Sequence, residues 1–339
     1  MSDWYEAKIK DFADVKGGKR LPKGKQLVKE PNNHPYIRIR DLGKAKYLQL
    51  TSEYEYVDDE TQQSISRYIV NEGDILISVV GTIGLIGIVG ATLDGANQTE
   101  NCDKIINIVG VMPEYLYYYL KSNFGQEEIR KGTVGAVQPK LPLKNVKDIS
   151  VFYPSMEEQE KIVAILSAID EKIETNEAVN NNLLQQASSI FKAWFIDPDI
   201  SEHEDWQMVT LEDITSLVTR GIAPKYSDES DQIVINQKCI RDHMLDLSPA
   251  RKHLPKKINE KWLKKGDLLI NSTGQGTLGR AAQIWFDPVN MTVDSHVTIV
   301  RPKNEKLIYY IGIWGILHER EIESLHTGST GQTELLRVR

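Results

Sequence analysis

Gly73-Asp74-Ile75-Leu76-Ile77-Ser78, followed by Gly81-Thr82-Ile83-Gly84, recurs later in the chain. The second copy is Gly266-Asp267-Leu268-Leu269-Ile270-Asn271, followed by Gly276-Thr277-Leu278-Gly279. Each copy opens on a glycine–acid pair, runs through a short apolar stretch and turns again between two glycines. Such a pattern predicts a buried strand leading into a tight hairpin. The uncharged run from Ile75 to Leu93 is nearly long enough to span a bilayer. However, Gly81, Gly84, Gly87 and Gly90 break it, and the matching second segment carries Arg280. Two buried strands are expected there, not a membrane helix.

Working outward, further features recur in the same order. Asp3-Trp4 matches Asp205-Trp206, and Ile9-Lys10-Asp11-Phe12 matches Leu211-Glu212-Asp213-Ile214. A glycine loop with proline and lysine follows in each copy: Gly17-Gly18-Lys19-Arg20-Leu21-Pro22-Lys23 against Arg220-Gly221-Ile222-Ala223-Pro224-Lys225. An alternating strand is expected next, Tyr36-Ile37-Arg38-Ile39-Arg40 against Ile233-Val234-Ile235-Asn236, and Gly132-Thr133-Val134-Gly135 matches Gly328-Ser329-Thr330-Gly331. So many matches in one order mark an internal repeat.

Between the copies the pattern changes. Pro154 closes the first unit, and Ser155 can cap a helix whose first turn holds Glu157 and Glu158. Apolar residues then recur in steps of four and three: Ile162, Leu166, Ile169, Ile173, then Leu183, Ala187, Ile190 and Trp194, with Asn176 and Asn180 in the two central positions. This is a heptad seam on a helix of about 40 residues, roughly 60 Å long. It needs a partner helix, since a single helix cannot bury its own seam. The expected fold class is α+β: two β-rich domains in tandem pseudo-repeat, separated by a long coiled-coil spacer helix. The first domain takes residues 1–153, the helix 154–196, a linker 197–204 and the second domain 205–339.

Composition narrows the function. The 339 residues are 40% hydrophobic and 26% charged, as in a soluble globular protein of two ordinary domains. Net charge is −7, which argues against a simple electrostatic clamp on nucleic acid, yet the first fifty residues hold twelve Lys/Arg against six Asp/Glu. Cys102 and Cys239 are too few for a disulfide framework and are expected to be free thiols; the seven histidines form no metal-ligand spacing. No basic segment with an apolar core opens the chain, so no secretory signal is expected and the cytoplasm is the expected compartment.

The duplicated Gly-Asp-Ile-Leu-Ile-Ser…Gly-Thr-Ile-Gly signature and the run Tyr153-Pro154-Ser155-Met156-Glu157-Glu158-Gln159-Glu160-Lys161-Ile162 resemble the specificity (S) subunits of type I restriction–modification enzymes. Gly328-Ser329-Thr330-Gly331-Gln332 also looks like that family's loop before its final strand. The resemblance implies two target-recognition domains, each reading one half of a split double-stranded DNA sequence, with the helix fixing the gap. It implies partners as well: methyltransferase (M) subunits that methylate adenine N6 with S-adenosylmethionine, and restriction (R) subunits, held through M, that use ATP and Mg2+. This chain itself would carry no cofactor, no metal and no catalytic residue. It has neither a Gly-x-x-x-x-Gly-Lys-[Ser/Thr] phosphate loop nor an Asn/Asp-Pro-Pro-aromatic run.

One departure from the family stands out. The second copy stops at Arg339, before any equivalent of Pro154…Glu158-Gln159, so the family's distal helix is missing. Either the sequence is a fragment, or the chain is naturally truncated and another chain fills the seam; in the second case self-association is expected, with Asn176 of one helix facing Asn180 of an antiparallel second copy. A truncated or silent S subunit, acting as a dimerisation or domain-donor protein, is the alternative.

DNA contacts are expected from cations near glycine loops and from polar groups aimed at base edges. In the first unit these are Lys19, Arg20, Lys23 and Lys25, with Arg38 and Arg40 on one face of a strand. In the second they are Arg220, Lys225, Gln237, Lys238 and Arg241, then Ser272, Thr273 and Gln275 in the hairpin, with Arg251, Lys252, Lys256 and Lys257 as a further basic cluster. The tyrosines from Tyr115 to Tyr119 and Tyr309-Tyr310 read as core rather than as stacking platforms. A pure scaffold would leave the duplicated cationic glycine loops unexplained. An enzyme would need a carboxylate cluster, and Asp58-Asp59-Glu60 sits in a polar stretch where the sequence spacing offers no His or Lys arrangement to partner it.

Overall fold

The computed structural model describes residues 4–198, 205–254, 257–274, 276–327 and 334–335. Gly328-Ser329-Thr330-Gly331-Gln332 lies outside them. Backbone contacts divide the chain into two compact units, Met1–Asn176 and Glu177–Arg339.

In unit 1 the elements run β1 (Tyr5–Lys8), α1 (Ile9–Phe12), β2 (Asp14–Gly17), β3 (Pro35–Ile37), β4 (Tyr47–Leu48), β5 (Glu55–Tyr56), α2 (Asp59–Ile65), β6 (Ile75–Ser78), β7 (Ile86–Val89). They continue with β8 (Asn97–Gln98), β9 (Cys102–Ile106), α3 (Pro113–Lys121), α4 (Asn123–Gly132), α5 (Leu143–Lys147) and β10 (Ser150–Tyr153). A single helix, α6 (Met156–Phe195), follows, one or two residues shorter at each end than its sequence pattern suggests. The unit boundary falls within α6, so each unit holds part of the helix. Unit 2 goes on with α7 (Leu211–Ile214), β11 (Thr215–Arg220), β12 (Ile233–Ile235), β13 (Ile240–Arg241), β14 (Met244–Leu245), β15 (Arg251–Lys252), β16 (Leu268–Asn271), β17 (Ala281–Gln283), β18 (Met291–Val293), β19 (Val297–Pro302), α8 (Leu307–Leu317) and α9 (Glu319–Ser324).

The repeat extends to topology. Unit 1 has a sheet β2-β9-β6-β7-β4 and a smaller sheet β5-β3-β8; unit 2 has β11-β19-β16-β17 and β15-β12-β18. In each smaller sheet one pair is parallel (β3 with β8, β12 with β18) and the other antiparallel. The central strands explain the repeated motif. Ile75 and Ile77 face Leu116 and Leu120 of α3, while Leu76 packs with Leu42, Leu93 and Cys102 on the other face. Leu268 and Ile270 meet Ile311 of α8, and Leu269 meets Ile235, Val293 and Ile299. A strand covered on both faces reads as a continuous apolar run rather than an alternation.

The glycine–acid pair builds the turn into that strand. Gly73 and Gly266 adopt φ of +84° and +92°, a region open mainly to glycine. One residue on, the Asp74 carboxylate accepts the Asn71 N–H at 2.9 Å, and Asp267 accepts the Lys264 N–H at 2.8 Å. Each carboxylate also meets a largely covered cation from the neighbouring strand. Lys104 Nζ stands 3.6 Å from Asp74 and donates to the Ile69 carbonyl. Arg301 clasps Asp267 through Nε and Nη2, both at 2.8 Å, and donates to the carbonyls of Glu260 and Trp262.

The expected strand Tyr36–Arg40 is shorter in the structure. It ends at Ile37, because the Asp41 carboxylate accepts the Arg38 N–H at 2.7 Å and turns the chain into a 3-10 turn over Ile39–Asp41. In unit 2 the strand likewise ends at Ile235, where Asn236 caps the 3-10 turn Gln237–Cys239. Among the described residues no helix is long and apolar enough to cross a membrane.

Gln159 fixes the start of α6. It is fully buried; its Oε1 accepts the Met112 N–H at 2.9 Å and its Nε2 donates to the carbonyls of Pro154 and Gly110 at 3.0 and 3.3 Å. Val163 is buried beside it, and Ile162 packs against the same core.

Removing one member of a buried pair leaves the other charge uncompensated, at a cost of about 3–5 kcal/mol. Arg301→Ala is therefore expected to lower amide-exchange protection in β16 and β19 by that amount while leaving β6 and β9 as in the wild type. Exchange measured by mass spectrometry on the full chain checks both halves of the expectation.

Candidate nucleic-acid interface

Close backbone approaches gather the loops of each unit at one end. A Cβ on Gly18 would lie 2.0 Å from the Thr99 carbonyl oxygen, and one on Gly221 the same distance from that of Val293. The Gly18 and Gly221 N–H groups donate to the carbonyls of Cys102 and Val297 at 3.1 and 3.0 Å. Lacking a side chain, each glycine lets the loop lie directly against the chain's own strands. Thr99 N–H then donates to the Ile37 carbonyl at 3.1 Å, and Ile39 lies within 3.6 Å of a Cβ built on Gly81. The segment after β2, the turn after β3, the β6–β7 hairpin and the β8–β9 corner therefore meet. The loop after α4 joins them, because Lys140 bridges both Val134 and Val80. Unit 2 repeats the arrangement: Asn271 Nδ2 donates to the Gln237 carbonyl at 3.1 Å, and Thr273 Oγ1 lies 2.7 Å from His296 Nδ1.

The predicted cations of unit 1 divide by their partners. Lys19 Nζ stands 5.7 Å over the Tyr68 ring, and the side chain of Arg20 is 82% exposed while paired with Glu100 at 2.8 Å. Lys23 is exposed and has no ion pair among the described residues. Lys25 is already neutralised: it meets Glu60 at 2.5 Å and Asp58 at 3.1 Å, and those hydrogen bonds raise its pKa. Asp58 is also the N-cap of α2, held down at about 2 by hydrogen bonds from Thr61 and Lys25. Arg38, whose side chain is only 18% exposed, pairs with Glu55, whereas Arg40 is open to solvent; both reach the Glu53 carbonyl. Burial pushes the neighbouring Asp41 carboxyl up to about 6.

In unit 2, Arg220 Nη2 donates to the Leu335 carbonyl at 2.6 Å, and Lys225, Lys238 and Arg241 are exposed. Gln237 is half-buried under the hairpin. Ser272 and Thr273 do not present donors to solvent as expected. Both are buried, Ser272 against Thr298 and Thr273 against His296, because the hairpin folds back over β19's start. Gln275 and Lys256 lie outside the described residues. In the second basic cluster Arg251 stacks over the Tyr226 ring at 3.6 Å, with Lys252 and Lys257 exposed.

Sequence reasoning missed Gln138 and Lys140, both exposed in the loop that reaches the hairpin. The recurring Gly132-Thr133-Val134-Gly135 was the signal, but its spacing gives no sign of where the loop folds.

Residues 1–185 match the family model for the type I restriction modification DNA specificity domain. The chain belongs to that family. Among curated relatives it is 30% identical over 237 residues to the specificity subunit of the type I restriction enzyme MjaIX of Methanocaldococcus jannaschii, covering 66% of this chain and 54% of that one. It is 30% identical over 209 residues to the HindI specificity subunit of Haemophilus influenzae, covering 59% and 42% respectively. The chain thus spans about half the length of these relatives. The type I S subunit of M. genitalium shares the fold, with a TM-score of 0.56 at 17% identity over 95% of this chain and 79% of that one.

In this specificity-family chain, a buried carboxyl stands beside the loops with an oxygen that has no partner. Asp103 of β9 is buried next to Gly17, its Oδ2 has no hydrogen bond, and burial pushes its carboxyl up to about 6. A carboxyl with a raised folded-state pKa contributes stability below its unfolded value, about 3.9, and loses that contribution as pH rises through about 6. Asp103→Asn is expected to match the wild type near pH 4 and to be more stable at pH 7.5, by about 1–3 kcal/mol. Denaturant titrations at the two pH values test this; a difference independent of pH would contradict it.

Proposed function

We propose that this chain reads DNA sequence without doing chemistry on it, each unit contacting one half of a split double-stranded target. The observation that carries this reading is the duplicated end of each unit, where loops bearing exposed cations collect on a rigid sheet. Lys19, Arg20, Lys23, Arg40 and Lys140 in unit 1, with Lys225, Lys238 and Arg241 in unit 2, would hold phosphates. Exposed polar side chains such as Gln138 would face base edges. Lys25, Arg38, Ser272 and Thr273 would support those loops rather than touch DNA.

In this reading α6 sets the spacing of the two half-sites. Methyltransferase subunits carry S-adenosylmethionine and modify adenine, while restriction subunits joined through them use ATP and Mg2+, all in the cytoplasm. The seam also calls for a helix partner. Ile169, Ile173, Leu183, Ile190 and Trp194 are each half exposed or more. A second copy of the chain, antiparallel with Asn176 opposite Asn180, supplies one; buried asparagines at seam positions set register.

Two measurements test the reading. Expressed with a methyltransferase subunit, the chain is expected to direct N6-methyladenine to a split motif, two short blocks with a fixed gap. An asymmetric motif means that both units of one chain read; a palindrome means that identical units from paired chains read. No new methylation beside a folded methyltransferase subunit would reject the proposal. In direct binding, replacing Lys19, Lys23 and Lys140 by Ala should weaken all sequences alike and flatten the plot of log affinity against log salt by about 2–3, since each phosphate contact contributes about 0.9.

A further inference from the structure

One turn has the same backbone bonds in both units but a different side chain at its third position. In unit 1 it is Thr99-Glu100-Asn101-Cys102, between β8 and β9; in unit 2 it is Asp294-Ser295-His296-Val297, between β18 and β19. The Cys102 N–H donates to the Thr99 carbonyl and the Val297 N–H to the Asp294 carbonyl, both at 3.2 Å. The Thr99 N–H donates to the Ile37 carbonyl at 3.1 Å, as the Asp294 N–H does to that of Ile235 at 2.9 Å. The carbonyls of Asn101 and His296 accept the N–H groups of Val79 and Ser272, each at 2.8 Å, where the hairpin after the central strand begins. A side chain two residues back braces each turn. Thr99 Oγ1 accepts the Asn101 N–H at 3.3 Å, and Asp294 Oδ1 accepts that of His296 at 2.9 Å. The chain thus builds one backbone frame twice, at the end of each unit where the loops gather.

With the frame fixed, the third side chain is what varies. Asn101 is half-buried, and its amide has no hydrogen bond among the described residues. Its neighbour Glu100 is taken up by Arg20 at 2.8 Å and by the Thr99 hydroxyl at 3.2 Å. Arg20, one of the cations assigned to phosphate above, therefore stands beside this turn. His296 is exposed, and the hydroxyl of the buried Thr273 lies 2.7 Å from its Nδ1. That bond orients the ring, and Nε2 has no partner among the described residues.

We propose that the third residue of this turn reads one base pair in each half-site, Asn101 through its amide for unit 1 and His296 through Nε2 for unit 2. The inference rests on the DNA-reading function above and deepens it by naming residues that determine specificity. A primary amide carries a donor and an acceptor side by side, the complement of adenine N6–H and N7 in the major groove. An imidazole whose Nδ1 accepts from the Thr273 hydroxyl presents the Nε2–H alone. A lone donor suits guanine, where N7 and O6 both accept. One geometry with two readers lets the units select different bases. Thr273 is a positioning residue here, since it acts through the His296 ring.

The test maps N6-methyladenine in cells that express the full chain with a methyltransferase subunit, using variants checked for folding by circular dichroism. Asn101→Ala and His296→Ala are each expected to relax one position of one block, cutting the preference for its base pair at least about fivefold. The other block and the gap stay as in the wild type. Asn101→His and His296→Asn are expected to shift the same positions toward guanine and adenine respectively, and they report on the site should an alanine variant misfold. Thr273→Val keeps the side chain's shape without its hydroxyl and is expected to relax the position that His296→Ala relaxes. No methylation directed by the wild type overturns the DNA-reading function and this inference together. A wild-type split motif that the alanine variants leave intact, or weaken at every position alike, overturns this inference alone. Variants of the two turns that relax the same block overturn the assignment of one turn to each half-site. Exchanged variants that favour neither base overturn the pairing chemistry, and an unchanged motif in Thr273→Val overturns the positioning role.

Discussion

A carboxylate tucked under a glycine turn, with little access to solvent, organises each unit. Asp74 and Asp267 each accept a backbone N–H of their own turn and face a cation on the adjacent strand. The turn fixes where the central strand begins, and the cation ties that start to its neighbour. Once this strand is in place, apolar side chains on both faces recruit a helix on one side and the smaller sheet on the other. The loops then gather where the strands end. The cations are not equivalent by alignment: Arg301 corresponds to Ile106, two positions beyond Lys104. Both point to the same face of their strand, so either position can reach the carboxylate.

Much of this was legible in the sequence because it depends on local rules. The doubly covered strand, the glycine turn, the repeat and the helix each follow from spacing. The limits of strands β3 and β12 were not legible, because they depend on one side-chain bond. Asp41 caps the Arg38 N–H, and Asn236 does the like in unit 2. The site was harder still. Nothing local distinguishes Lys23, free of ion pairs among the described residues, from Lys25, held by two carboxylates more than thirty residues away. The burial of Ser272 and Thr273 depends on Thr298 and His296, again distant in sequence.

Gln159 gives physical content to the Glu-Gln pattern that opens the helix. An amide has a donor and an acceptor on one short side chain, and here both are needed: one for Met112 N–H, the other for two carbonyls. A glutamate would offer no donor, and a leucine neither. The helix direction out of unit 1 is thereby set by a bond to the unit's own backbone rather than by surface packing, leaving the seam face for another helix.

The middle of α6 has a different character from its ends. Every residue from Glu171 to Leu183 is exposed, so this stretch has no tertiary support within the chain. A helical segment of that length is only marginally stable in water. A protease added to the purified chain is therefore expected to find this stretch open unless another helix covers it.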